Sequence, residues 1–570
     1  MSFIKKYISS IITAVVVLIA VLGFYSPMYA YQEGLQIFMS DWGFFTDTCL
    51  RPGGMSDYIG CFLVQFFMYT HWLAIIITAL VIGLQLIIKS ILIKNTNAQF
   101  ADVLSVICAA GMIAAVTEFN VLFGGCISIL LAVSAVKVAD LSKNMIVLSV
   151  LTPIVYWITG GFGCIIYIIG VAVSFDLKKA GVFAAINAAI LLIVWLLTKK
   201  IMQDDSLFGT FAGVDFNRYP EKSCYTWHVC IWLTISCLAI APFVKNIKSK
   251  ILSIAIYSAT TICIITTLVS KYDKGSMLDY TVDKMSRYKN WSGIIKTMEG
   301  RHTITKISNC YLNIALNELG ILDSKMFNFL QVGSEGLASD DIDSQDESIV
   351  NSEIYFRLGL MNVAERLAID ATESNQSHQK SARQYKRLAE INIIRKNKAL
   401  AYRYLNKLEN TMFYSAWAKR AKAYLNNPDK VEPLSDWKIE PLKFENDIFF
   451  TPIYKSDFFI SLLANNPNNA KLFNYYVCSL LLEKNLEKLY TFIGQYRPEG
   501  ELGIHIYEAI LLYLSLNNQE EFKRVSAESN PLNTRFQNFR SFIMSSGGQD
   551  IQKAEELYGK TYWFYYTFCN

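Results

Sequence analysis

The chain has 570 residues, 53% hydrophobic and 18% charged, with a net charge of +5. The charge is unevenly spread: residues 1–270 hold 28 charged side chains and residues 271–570 hold 73. This split excludes a single water-soluble domain, a secreted disulfide scaffold and a disordered chain, and the long continuous apolar runs exclude a transmembrane β-barrel.

A bilayer core needs about 20 apolar residues in helical form. The sequence predicts about nine such segments, at roughly 7–28, 69–93, 99–117, 120–139, 144–159, 161–176, 180–198, 226–245 and 251–270. The fifth and sixth are short and are separated by Gly160-Gly161-Phe162-Gly163, so either is a candidate re-entrant segment. Lys5 and Lys6, Lys89 and Lys94, Lys137 and Lys143, Lys178 and Lys179, and Lys245, Lys248 and Lys250 make every second loop basic. Lys199 and Lys200 run against this pattern. By the positive-inside rule the N-terminus is cytoplasmic, and nine spans then carry residues 271–570 outside.

The loop over 29–68 is long for a connector between spans. It places Glu33 and Asp41 just beyond the first span, where a partly desolvated carboxylate suits general-base work. Gln32 adjoins Glu33. Arg51 is suited to hold a phosphate by two parallel hydrogen bonds, and Pro52-Gly53-Gly54 to turn tightly or to present backbone N–H groups to an anion. The bland alternative for Glu33 is a loop carboxylate that caps a helix or pairs with Arg51, and for Arg51 an interfacial anchor. The loop after the seventh segment carries Asp204-Asp205, Asp215 and Arg218-Tyr219-Pro220. Asp204 and Asp205 with Glu33 offer oxygen ligands for a divalent cation, although a solvated turn is the commoner fate of such a pair.

No dedicated metal or redox site is expected. Only five His occur, none at helical ligand spacing, and the twelve Cys contain no CxxC pair. No Lys/Arg-rich stripe with interleaved aromatics appears, so nucleic acid is not an expected partner.

Residues 271–570 read as helices with short loops, apolar positions recurring at three and four. Windows around Tyr355–Ala371, Tyr385–Leu408 and Asn466–Pro498 resemble tetratricopeptide-type helical hairpins, and the small residues Ala364 and Ala401 stand 37 positions apart. The expected fold class is all-α. A polytopic transmembrane domain over 1–270 is followed by a soluble, tetratricopeptide-like helical domain over 271–570.

Two resemblances follow. An acidic residue directly after the first span, many spans and a soluble tail resemble the layout of GT-C class membrane glycosyltransferases. That likeness implies a polyprenyl-phosphate-linked sugar as donor, Glu33 or Asp41 as base, and Arg51, Gln32, Gly53, Gly54 and Arg218 around the substrate. The adjacent acidic pair found in some members of that class is missing from this loop. The pattern Gln32-Glu33, Leu35-Gln36, Phe38, then Pro52-Gly53-Gly54, then Gln65-Phe66-Phe67, with Asn466-Pro467 and Tyr507-Glu508-Ala509 in the tail, resembles an uncharacterised family of multi-pass membrane proteins from Bacteroides-type bacteria. The functions in competition are an outer-leaflet glycosyltransferase in the bacterial inner membrane and a membrane-anchored scaffold that binds an envelope protein through residues 271–570. A transporter ranks below both.

Overall fold

The computed structural model describes residues 2–142, 144–202, 207–219, 224–245, 250–340, 344–374, 380–443, 455–496 and 502–569. They are helical throughout, and the one extended pairing among them is an isolated antiparallel bridge between Val121 and Asn217. The chain divides into two compact units. The first comprises residues 1–277, 375–386 and 402–423; the second comprises 278–374, 387–401 and 424–570.

In the first unit, α1 (Ser2–Ala20) passes through a π-helical turn at Val21–Tyr25 into α2 (Ser26–Gly34). Pro27 stands at the start of α2 and has no N–H to give to the preceding turn, which accounts for the widened turn before it. The result is one long apolar element ending at Glu33 and Gly34. Two short helices follow, α3 (Trp42–Cys49) and α4 (Gly54–Val64), then α5 (Thr70–Asn95), α6 (Ala98–Val116) and α7 (Phe123–Ala139). The rest are α8 (Met145–Ala172), α9 (Leu177–Met202), α10 (Leu207–Ala212), α11 (Tyr225–Ile240) and α12 (Lys250–Ser270).

Six elements are long and apolar enough to cross a bilayer: Tyr7–Gly34, Thr70–Asn95, Ala98–Val116, Met145–Ala172, Leu177–Ile201 and Ile251–Ser270. α7 and α11 are apolar but shorter. Against the nine expected segments, the shortfall comes from these two and from α8, which takes in both the fifth and the sixth.

α8 is not a straight rod. Gly160 within it has φ 75° and ψ 179°, which no helical residue adopts. The Tyr167 hydroxyl donates to the Leu148 carbonyl at 2.8 Å, and the Cys164 thiol lies 3.7 Å from the Thr152 carbonyl. At 1.5 Å per residue a continuous helix would hold Leu148 and Tyr167 about 28 Å apart. Residues 145–159 and 161–172 are therefore antiparallel arms of a hairpin that turns at Gly160. A helix end inside an apolar unit must have its carbonyls satisfied. Here the Trp157 carbonyl accepts from the Gly53 N–H at 2.9 Å, the Ile158 carbonyl from Ser56 Oγ at 2.7 Å, and the Thr159 carbonyl from Ser128 Oγ at 2.6 Å. The Pro-Gly-Gly turn of the long loop thus meets the Gly-Gly break of α8. A Cβ on Gly160 would sit 2.5 Å from the Ala212 carbonyl oxygen, so only glycine fits.

Four helices converge near the other end of α5 and α6. The Asp102 carboxylate accepts from Ser9 of α1 at 2.8 Å, from Lys89 of α5 and from Tyr257 of α12. Lys94 reaches Asp140 at 2.8 Å at the same end.

The second unit is built on one continuous hydrophobic core that runs from Leu278 to Tyr565. Its helices are joined by a recurring turn. Lys289, Gly320, Gly359, Lys396 and Lys484 each have φ between 56° and 89°. The N–H of the following residue reaches five positions back: Asn290 to Met285 at 2.9 Å, Ile321 to Leu316 at 2.9 Å, Leu360 to Tyr355 at 2.8 Å, Asn397 to Asn392 at 2.9 Å and Asn485 to Leu480 at 2.9 Å. This left-handed stop satisfies the last carbonyls of a helix. In the three Lys-Asn turns the Asn side chain then caps the next helix, accepting from the N–H groups of Gly293, Leu400 and Lys488. A buried charge cluster crosses the same core. Arg357 donates to Glu353 and Asp436, both at 2.7 Å, Arg387 pairs with Glu353, and Lys289 reaches Asp436 at 2.8 Å.

Candidate functional site

α2 delivers Glu33 to a pocket within the first unit. Glu33 is 5% exposed, and its Oε1 accepts from the Tyr414 hydroxyl at 3.1 Å. The chain leaves α2 with Gln36, Ile37 and Phe38 along one side of this pocket. α4 and the short turn after it add Cys61, Val64 and Gln65. Ala382, Thr411, Phe413 and Tyr414, which come from the segments at 375–386 and 402–423, complete the lining of this small pocket.

Specific bonds hold these segments in place. Ser381 Oγ donates to the Gly34 carbonyl at 2.6 Å, and the Met412 N–H to Gln65 Oε1 at 3.4 Å. The Ser40 N–H donates to the Asn410 carbonyl at 2.9 Å. Phe38 packs edge-on against Phe44, Tyr58 and Phe62, and Phe413 packs edge-on against Phe66 and at a tilt against Tyr69. Burial, reinforced by Asp57, pushes the Cys61 thiol well above its ordinary range, so it stays protonated at neutral pH and is no nucleophile. Glu33 is the one carboxylate among the lining residues.

Two separate stretches of sequence therefore meet here: Glu33, Gln36 and Phe38 of the first pattern, and Gln65 of the Gln-Phe-Phe pattern, all face one pocket. The chain belongs to a family of unknown function, DUF6057, whose profile matches residues 2–569. No curated protein and no solved structure matches the chain.

In this DUF6057 protein the other expected site residues lie apart from Glu33. Gln32, on the neighbouring position of α2, turns away and donates to the Phe119 carbonyl at 3.2 Å. Asp41 caps α3 by accepting from the Phe44 N–H at 2.9 Å, and it also accepts from Asn410 at 3.3 Å. Arg51 is exposed. Gly53 and Gly54 form the turn against the α8 hairpin, and a side chain on Gly54 would overlap the Thr48 carbonyl, so both glycines serve close backbone packing. Arg218 is 1% exposed, with its guanidinium 5.4 Å from the centre of the Phe119 ring and its backbone N–H bonded to the Asn120 carbonyl at 2.7 Å. None of these six lines the Glu33 pocket.

Asp204 and Asp205 lie outside the described residues, as does Pro220. Among the described residues no group of three or more His, Cys, Asp or Glu is placed to hold a metal. Reading the sequence in spans missed Tyr414, Phe413 and Thr411. Their one sequence signal is the apolar run Met412-Phe413-Tyr414 in an otherwise polar stretch, where Met412 is left 57% exposed.

Proposed function

We propose that the protein is a multi-pass inner-membrane transferase that works at the outer face on a polyprenyl-phosphate-linked sugar, with Glu33 as general base. The observation that carries this reading is the position of Glu33. It is a buried carboxylate at the end of the first long apolar element, and it lines a small pocket together with the Gln36 and Gln65 amides and the Phe38 and Phe413 rings. In the reaction an acceptor hydroxyl attacks the anomeric carbon of the donor. The new C–O bond forms as the bond from that carbon to the phosphate oxygen breaks, the phosphate leaves with the electron pair, and the hydroxyl proton passes to Glu33. The pocket lies at the end where the loop basicity places the outer face, with the N-terminus cytoplasmic.

Comparing lipid-linked sugars and surface glycans in cells with the gene, without it, and carrying Glu33→Gln tests the reading. Loss of the gene and Glu33→Gln should give the same glycan defect. Unchanged glycans in both would overturn it.

A second reading is a membrane-anchored scaffold in which a tetratricopeptide-like domain binds an envelope protein. The recurring left-handed turns of the second unit favour it, since they join successive helices in the way helical repeats require. In-cell crosslinking from the full-length chain should then recover one partner, equally with Glu33 or with Gln at that position.

A further inference from the structure

Residues 380–386 and 402–423 belong to the first unit and carry a charge that the rest of the chain does not. They hold eight of the 53 Lys and Arg but one of the 48 Asp and Glu, so these 29 residues net +7 while the other 541 net −2. The one acid, Glu409, pairs with Lys422. Residues 402–409 end one helix (Lys398–Glu409), and residues 415–423 begin the next (Ser415–Asn426). Leu405, Leu408, Ala418 and Ala421 are their buried stripe, whereas Arg403, Lys407, Lys419 and Arg420 are exposed. The uncovered face of this helix pair is thus cationic. Lys407 also lies over the Tyr385 ring and Lys386 over the Trp417 ring, contacts that leave the charge in place.

The turn between the two helices indicates what this face meets. Met412 is 57% exposed and Phe413 37%. Phe413 packs on Phe66 and on Tyr69, the residue that caps the start of α5. Phe66 packs in turn on Trp72, which is exposed in the first turn of that apolar helix. Exposed aromatic rings at the mouth of a span mark the boundary between lipid headgroups and acyl chains. The bonds of Ser381 to Gly34 and of Ser40 to Asn410 tie the same segments to the end of α2. The cationic helices are therefore fastened at the mouths of two long apolar elements. We propose that this helix pair lies on the bilayer surface, with its exposed cations on the headgroup phosphates of anionic phospholipids and the Met412-Phe413 turn dipping among the acyl chains. Attachment of this kind adds buried apolar area to charge attraction, and long Lys and Arg stems reach back to the headgroups. The assignment is independent of the chemistry at Glu33 and holds under either function proposed above.

The test uses full-length protein in nanodiscs of phosphatidylcholine alone and of phosphatidylcholine mixed with phosphatidylglycerol. Hydrogen–deuterium exchange is followed in the peptides that cover 402–423. One cation beside an anionic surface strengthens attachment roughly fivefold, so exchange there should slow by at least about fivefold in the anionic discs. It should return to the phosphatidylcholine rate in about 1 M salt. Arg403→Gln combined with Lys419→Gln and Arg420→Gln should remove the difference between the discs. Met412→Ser should speed exchange in both. Soluble polyphosphate added to phosphatidylcholine discs should give no protection. Equal exchange in the two discs, a lipid dependence that survives the triple variant, or wild-type exchange with Met412→Ser would each overturn the assignment. So would equal protection by polyphosphate, which would make the surface a site for a soluble polyanion.

Discussion

The hydroxyl of Tyr414 donates to the carboxylate of Glu33 at 3.1 Å across 381 positions of the chain. Both residues belong to the first compact unit, so a segment late in the sequence finishes a pocket begun at the end of the first apolar helix. A hydrogen bond to a charged group contributes about 1.5–3 kcal/mol. Tyr414→Phe should therefore lower transfer by roughly ten- to a hundredfold, and Glu33→Gln by about 10²–10⁴ as expected for loss of a general base. Lipid-linked sugar turnover in membranes carrying each variant checks this. Wild-type turnover with Tyr414→Phe would show that the bond does not serve the reaction.

The hairpin in α8 can be tested by proximity. Thr152→Cys, in a background that keeps Cys164 alone among the native cysteines, should crosslink readily with a short thiol-specific reagent, because the Cys164 sulfur already lies 3.7 Å from the residue 152 carbonyl. In a continuous helix the two would be about 18 Å apart and would not react. Gly160→Ala should lower stability by about 1–3 kcal/mol, because its positive φ with extended ψ is a region essentially confined to glycine, with the overlap on Ala212 adding to that. Gly181→Ala in α9, where a Cβ meets nothing within 4 Å, should be neutral or stabilising by about 0.5–1 kcal/mol.

Lys89, whose side chain is 10% exposed, pairs with Asp102. Removing one member of a buried pair typically costs about 3–5 kcal/mol, whereas replacing both with apolar groups is often neutral. Asp102→Asn should destabilise the detergent-solubilised protein markedly, and the double variant Asp102→Leu with Lys89→Met should recover most of the loss. Single and double variants of equal stability would mean that the pair does not organise the four helices around it.

The recurring turns of the second unit give opposite expectations for glycine and lysine. Lys396 holds φ 60°, a conformation that costs a side-chain-bearing residue about 1–2 kcal/mol, so Lys396→Gly should stabilise. Gly359 holds φ 89° and a Cβ there would lie 2.5 Å from the Glu440 carbonyl, so Gly359→Ala should destabilise by more than that amount. Chemical denaturation followed by circular dichroism separates the two signs.

Acid should weaken the second unit through Asp436. Burial alone would push its carboxyl up, but Arg357, Arg387 and Lys289 outweigh burial and hold it below the ordinary range. A depressed carboxylate contributes stability that is present above its unfolded pKa of about 3.9 and is lost as pH falls through the folded value. Stability should thus fall on acidification below about pH 4, and Asp436→Asn should flatten that slope while lowering stability at neutral pH. A variant with the wild-type slope would remove Asp436 from the acid response.

Parts of this arrangement are legible in the residues alone. Long apolar runs mark the elements of the membrane unit, since backbone polar groups in lipid must be satisfied within helices or by packed neighbours. The Gly160–Gly163 stretch marks the break in α8, because only glycine tolerates that conformation beside another backbone. Glu33 is marked by its place at the end of the first apolar run. Asp41, Arg51, Gly53, Gly54 and Arg218 carry equally suggestive chemistry in one dimension, yet one caps a helix, one is exposed, two pack a turn and one is buried under a ring.

The sequence by itself determined an all-helical chain with an apolar first half and a charged second half, because composition and periodicity are local properties. Only the tertiary structure decided that Glu33 shares a pocket with Gln65, Phe413 and Tyr414, and that Pro52-Gly53-Gly54 meets the Gly160 turn. Those pairings join positions about 30 to 380 residues apart. They depend on which carbonyls and side chains are left unsatisfied when the helices pack, and no local pattern records that.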